Sequence, residues 1–194
     1  MQTTIPSRVI GGAVLPRHRV TTLVLVVSFA LLTALAAQIR IPLPFTPVPI
    51  TGQTFAVLLS GAVLGATAGA ASQGLYLLMG LFRPFYAGGA SGWEYATGAT
   101  GGFLLGFIVA AWVVGQLAER RQDRNLVTAI PAFITGTVVI YLFGVPWLAN
   151  TLEVSWTRAV ELGAAPFVVG DLAKVALAGA LLPAVWKLIW SAKS

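Results

Sequence analysis

Cysteine is absent from this 194-residue chain and histidine occurs once. Disulfides, thiol nucleophiles and cysteine metal sites therefore have no material, and neither do metal or acid–base sites built on several histidines. The lone His18 sits in PRHR beside two arginines, where it reads as part of a solvated basic flank. Charge is also scarce, with 12 basic and 6 acidic side chains making up 9% of the residues. No GxxxxGK[ST] phosphate loop is present, and no nucleophile, base and orienting group fall in a catalytic arrangement. Nothing here indicates an enzyme, a cofactor or a metal, and energy from ATP would have to come from another protein.

What the chain has instead is apolar length. Hydrophobic residues make up 57% of it, and the mean hydropathy of +0.86 lies outside what a soluble domain presents to water. Several runs approach the ~20 apolar residues a helix needs to cross ~30 Å of hydrocarbon, and none alternates as a membrane barrel strand does. The net charge of +6 does not suggest nucleic acid, because the basic residues sit at the ends of apolar runs and form no stripe. The expected fold class is an all-α integral membrane protein, a six-helix bundle forming one domain over 1–194.

The first 38 residues have the outline of a secretory signal, with Ala34-Leu35-Ala36 resembling a cleavage site. The run 20–37 is long for a signal core, so we read it as a retained first helix preceded by a basic extension over 1–19. The expected spans are 20–38, 53–65, 67–82, 100–117, 127–148 and one opened by Pro166 and reaching about Trp190. The break near Gly65 is needed because the uncharged stretch 53–82, as one helix, would extend ~45 Å at 1.5 Å per residue. Residues 150–163 read as amphipathic.

Six spans place both termini on one side. Arg8, Arg17, Arg19, Arg120, Arg121, Arg124, Lys187 and Lys193 then share a face, which the positive-inside rule makes cytoplasmic. Arg40, Arg83 and Arg158 fall on the opposite, outer face, together with the segment IRIPLPFTPVPIT at 39–51 and its four prolines. Proline lacks a donor and holds its neighbours extended, so the segment needs few hydrogen bonds and loses little entropy on settling over a cavity. It reads as a lid after the first helix, through Pro44, Phe45, Pro47 and Pro49, with a rigid spacer as the alternative.

Within the last span, GDLAK places Asp171 and Lys174 three residues apart on one helix face. Each charge in hydrocarbon costs about 3 kcal/mol on insertion scales, so the two read as an acceptor and a cationic donor facing a polar ligand. They also satisfy each other as an i,i+3 pair. The outer connection FYAGGASGWEYATGATGG offers close backbone approach through its glycines and aromatic walls through Phe85, Tyr86, Trp93 and Tyr95. Ala30 and Ala34 permit close helix approach, either within the bundle or with a partner protein.

PFTPVPITGQTFAVLLSGAVLG, then YLLMGL, FYAGGASG and GATGGFLLGF, and finally PFVVGDLAK together resemble the BioY family. These are the biotin-specific substrate-binding components of energy-coupling factor (ECF) transporters, and the likeness spans about 30–181. It implies a multi-pass cell-membrane protein that captures biotin on the outer side under a lid. A transmembrane coupling subunit and two ATPase subunits would supply the energy, with Ala30 and Ala34 matching the pattern of the coupling contact. It further implies that Asp171 accepts from the ureido N–H and Lys174 donates to a biotin oxygen, carbonyl or carboxylate. Gly88, Gly89, Gly101 and Gly102 would line the cavity, with Tyr86 and Trp93 on the rings. Ala99 stands where relatives often have proline. No arginine lies in 86–100, so the carboxylate would fall to Lys174, Arg83 or loop N–H groups. The readings left open are a solitary biotin transporter and an ion-coupled carrier or channel using Asp171.

Overall fold

The computed structural model describes residues 8–15 and 18–191. Residues 1–7 of the expected basic extension, with Arg17 and Lys193, lie outside them. The extension is not only a flank: Val9 and Ile10, at the start of α1 (Ile10–Val14), are buried in the core.

The chain continues through α2 (Arg19–Gln38), a hairpin of β1 (Arg40–Leu43) and β2 (Thr46–Thr51), α3 (Gln53–Leu64) and α4 (Ala66–Phe82). A connection with a 3-10 turn (Ala87–Gly89) and α5 (Gly92–Thr97) leads to α6 (Gly101–Glu119) and α7 (Leu126–Leu152). α8 (Trp156–Gly163), a second 3-10 turn (Ala165–Phe167) and α9 (Val168–Ser191) complete it. Among the described residues four helical segments are long and apolar enough to cross a membrane: Arg19–Gln38, Gly101–Glu119, Leu126–Leu152 and Trp156–Ser191. α3 is apolar but has only 12 residues. Large apolar side chains face outward, among them Leu23, Leu35, Leu142 and Leu188, as in a protein whose solvent is lipid.

Lipid dictates how the polar residues of the helices are placed. Ser28 and Thr33 on α2 donate to the carbonyls of Val24 (2.8 Å) and Phe29 (3.0 Å), so neither hydroxyl is left unpaired. The expected break at Gly65 is present, with φ 83° and ψ 179°, a conformation that glycine adopts without strain. The free N–H of Ala66 that this break creates donates to Glu119 Oε1 on α6 at 2.8 Å.

Two expectations change. Pro166 belongs to the 3-10 turn, and α9 starts at Val168, so Asp171 stands in the first turn of the helix. The proline segment pairs with itself as an antiparallel ladder, Arg40 opposite Thr51 and Ile41 opposite Ile50. The ladder slips before Leu43 meets Thr46, at the stretch where Pro42, Pro47 and Pro49 offer no N–H. Chain direction puts this hairpin, α5 and α8 at one end of the bundle, and the α3–α4 turn, the α6–α7 loop and the end of α9 at the other.

Candidate binding site

The hairpin end encloses a cavity with about 60 Å³ of space for the centres of water molecules. Its floor is polar, with Asp171 and Lys174 from α9, Thr54 and Gln53 from α3 and Tyr141 from α7; its walls are Phe103, Leu104, Phe107, Ile140 and Phe167. Val48, Pro49 and Thr51 of the hairpin, with Tyr95 and Thr100, close the top.

Asp171 is 5% exposed and accepts three hydrogen bonds. Lys174 Nζ (3.0 Å) and Thr54 Oγ1 (3.2 Å) donate to its Oδ1, and the Tyr141 hydroxyl donates to its Oδ2. Lys174 Nζ also donates to Thr54 Oγ1 at 2.8 Å. A carboxylate offers about four lone-pair positions and an ammonium three protons. Asp171 therefore retains one acceptor position and Lys174 one donor. A buried pair with one donor and one acceptor left over is complementary to a group that presents N–H beside C=O, as an amide or cyclic urea does.

A second layer holds the floor in place. Gln53 Nε2 donates to the Tyr76 hydroxyl at 2.7 Å, and Gln53 Oε1 accepts from Thr51 Oγ1 at 2.9 Å, tying α4, α3 and the end of β2 together. Above it, burial raises the Tyr95 phenol from its ordinary pKa, the Thr100 hydroxyl and the Arg40 charge partly offsetting this. Tyr95 is thus a neutral donor and wall at any physiological pH.

A profile of the BioY family matches residues 8–191. The chain belongs to the BioY family. Relatives include the biotin transporter BioY of Rhizobium etli, 37% identical over 172 residues, covering 84% of this chain and 91% of the relative. The biotin transporter BioY of Thermotoga maritima is 35% identical over 161 residues, covering 82% and 92%. Among solved structures, the S-component for biotin from an ECF-type ABC transporter superposes with a TM-score of 0.80, covering 87% of this chain and 92% of that chain. At 22% identity that likeness concerns the fold.

Of the residues expected from the BioY resemblance, the structure gathers Asp171, Lys174 and Pro49 at the cavity. Tyr86 is fully buried behind it: its hydroxyl donates to Leu77 O at 2.7 Å, and its ring stacks on Tyr95 at 5.0 Å. Tyr95 takes the place at the wall. Trp93 is 72% exposed and is not among the residues that line this cavity, and Arg83 is exposed. Gly101 and Gly102 lie under Trp147 of α7, where a Cβ on Gly102 would come within 2.2 Å of Trp147 Cβ; they serve helix packing. Gly89 borders a wider outer hollow of about 610 Å³, with Glu94, Gly98 and Ala99. Pro44, Phe45 and Pro47 stand exposed around the hairpin turn. Ala30 and Ala34 are 0% and 5% exposed and pack inside the bundle, so the small-residue spacing serves internal packing and a partner on α2 would meet another face.

Sequence reasoning missed Thr54 and Tyr141. Tyr141 carried a signal, since a phenol in the middle of an apolar run needs a partner. Thr54 carried none, because a threonine in a membrane helix can satisfy itself on its own backbone.

Proposed function

We propose that this protein captures biotin at the outer face of the cell membrane and serves as the substrate-binding component of an ECF transporter. The observation that carries the proposal is the buried Asp171–Lys174 pair, with one acceptor and one donor to spare, at the floor of a cavity in a BioY-family chain. The ureido ring of biotin would donate N–H to Asp171 and accept from Lys174 through its carbonyl. Phe103, Phe107 and Phe167 supply apolar area for the ring system, and Thr54 and Tyr141 fix the carboxylate so that little ordering remains on binding.

In this reading α2, α3, α4, α6, α7 and α9 are the six spans, both termini are cytoplasmic, and the hairpin is the lid. The excess of Arg and Lys at the end away from the hairpin supports that orientation. A coupling subunit and two ATPase subunits would drive release inward, since the chain has no nucleotide loop of its own.

Equilibrium binding of labelled biotin to the detergent-solubilised protein tests this, alongside Asp171→Asn and Lys174→Ala. Tight binding by the wild type and its loss in both variants is expected. Binding unchanged in the variants would return the pair to a structural role, and folded wild-type protein that binds no biotin would refute the capture function.

A further inference from the structure

We infer that Arg40, on the first strand of the hairpin, is the group that recognises the ligand's carboxylate, so that the lid itself reads the charged end of the molecule. The inference rests on the biotin reading for the existence of a terminal carboxylate, and on this chain's own geometry for its location.

The polar floor is committed to a neutral donor–acceptor group: Lys174 already holds Asp171 Oδ1 and Thr54. A carboxylate leaving the floor must end nearer the hairpin and find compensation there. The inner cavity shares Pro49, Ala87 and Tyr95 with a shallower hollow of about 110 Å³ that is also lined by Arg40, Leu43 and Thr46. Arg40 is the cation in that lining. It stands opposite Thr51 in the ladder, a separation of about 5 Å between Cα atoms. Thr51 lines the inner cavity, and three residues later the chain supplies Thr54 to the floor.

The guanidinium is available. Among the described residues the ion pairs are Arg158–Glu161 and Lys174–Asp171, and neither involves Arg40. It lies against Gly88, where a Cβ would come within 1.9 Å of Arg40 Nη1 and where φ is +72°. Glycine at this position leaves room for the guanidinium beside the Ala87–Gly89 turn, with Arg40 still exposed at the mouth of the hollow. Arginine's planar fork can meet a carboxylate through two parallel N–H groups; Arg83 is exposed, as Arg40 is, but unlike Arg40 it lines none of these three hollows. A carboxylate bound there would bridge the hairpin and the glycine turn, closing the lid on the charged form of the ligand.

The test compares biotin with its primary amide, which keeps the ring and chain and removes the charge, on full-length wild type, Arg40→Gln and Arg40→Lys in detergent. The wild type is expected to prefer the acid. Arg40→Gln should weaken acid binding ~10- to 100-fold while leaving amide binding within ~3-fold, and Arg40→Lys should recover part of the loss. Retained amide binding shows that the variant is folded. Equal loss of both ligands would make Arg40 a brace for the hairpin, and no loss of either would remove it from the site; both overturn the inference. Wild type that binds neither ligand would refute biotin capture itself, and the carboxylate assignment with it.

Discussion

The hydroxyl of Tyr141 on α7 donates to Oδ2 of Asp171 on α9, thirty positions further along the chain, joining the two helices at the floor of the cavity. It supplies Oδ2, while Lys174 and Thr54 supply Oδ1, so the carboxylate is held from both sides in one orientation. Tyr141→Phe keeps the ring and removes that donor. Biotin affinity is expected to fall about tenfold, equivalent to about 1.4 kcal/mol, with the protein still folded. Calorimetric titration in detergent checks this; tighter binding would mean that Tyr141 competes with the ligand for the carboxylate instead of orienting it.

The hairpin is fastened from below. Thr46 Oγ1 donates to the carbonyl of Leu162 on α8 at 2.8 Å, in a buried setting, and also accepts from the Val48 N–H at 3.3 Å. Thr46→Val preserves the shape and deletes the latch, leaving the Leu162 carbonyl without that donor. Dissociation of labelled biotin in a chase experiment is expected to speed up ~3- to 10-fold, with association little changed. An off-rate equal to wild type would take the lid role away from the hairpin.

Periodicity and length made the helices legible, because an apolar run has one solution in lipid and an uncharged stretch of 30 residues has to turn somewhere. The turn fell at Gly65 for a reason visible in sequence, a small flexible residue between Leu64 and Ala66. Asp171 and Lys174 stood out because charge inside an apolar run is costly. The packing of side chains across helices was not legible. Glycine pairs look alike whether they face a ligand or a tryptophan, so Gly101 and Gly102 read as cavity lining until Trp147 was seen above them. Tyr86 and Tyr95 are equally aromatic, and only the fold decides which one meets the cavity and which stands behind it. Ala30 and Ala34 likewise fit an internal or an external partner equally well by spacing; their burial selects the internal one.

Helix crossing at the end away from the hairpin depends on backbone approach. A Cβ on Gly115 of α6 would come within 2.3 Å of Ala66 N and 2.4 Å of Gly65 C, and backbone at a tight turn cannot move aside as a side chain can. A Cβ on Gly74, in the middle of α4, would meet no atom within 4 Å among the described residues beyond the backbone of its own helix. Gly115→Ala is expected to destabilise the protein by about 2 kcal/mol or more through overpacking, whereas Gly74→Ala should be neutral or stabilising by up to ~1 kcal/mol. Thermal unfolding of the two variants in the same detergent separates them, and similar midpoints would contradict the close α4–α6 packing.

Asp123, in the loop between α6 and α7, is 2% exposed and accepts from Trp186 Nε1 at 2.5 Å, while its Oδ1 has no hydrogen-bond partner among the described residues. Burial raises its pKa above the ordinary 3.8, with the Trp186 hydrogen bond and the Arg124 charge opposing the shift. The Arg124 guanidinium lies 4.2 Å from the Trp186 ring centroid, over the indole that donates to the carboxylate. A carboxyl whose folded-state pKa is raised holds its proton in the native state after the unfolded chain has lost it. Its contribution to stability is therefore greatest below the unfolded value and declines as pH rises from about 4 through the folded value. Asp123→Asn keeps an acceptor for Trp186 and removes the titration. The melting midpoint of the variant is expected to lie above wild type at pH 7, and the difference to shrink as pH is lowered toward 4. Parallel curves for the two proteins, or a wild-type midpoint that rises relative to the variant with pH, would show that the carboxylate is compensated in the folded state and that its burial carries no penalty.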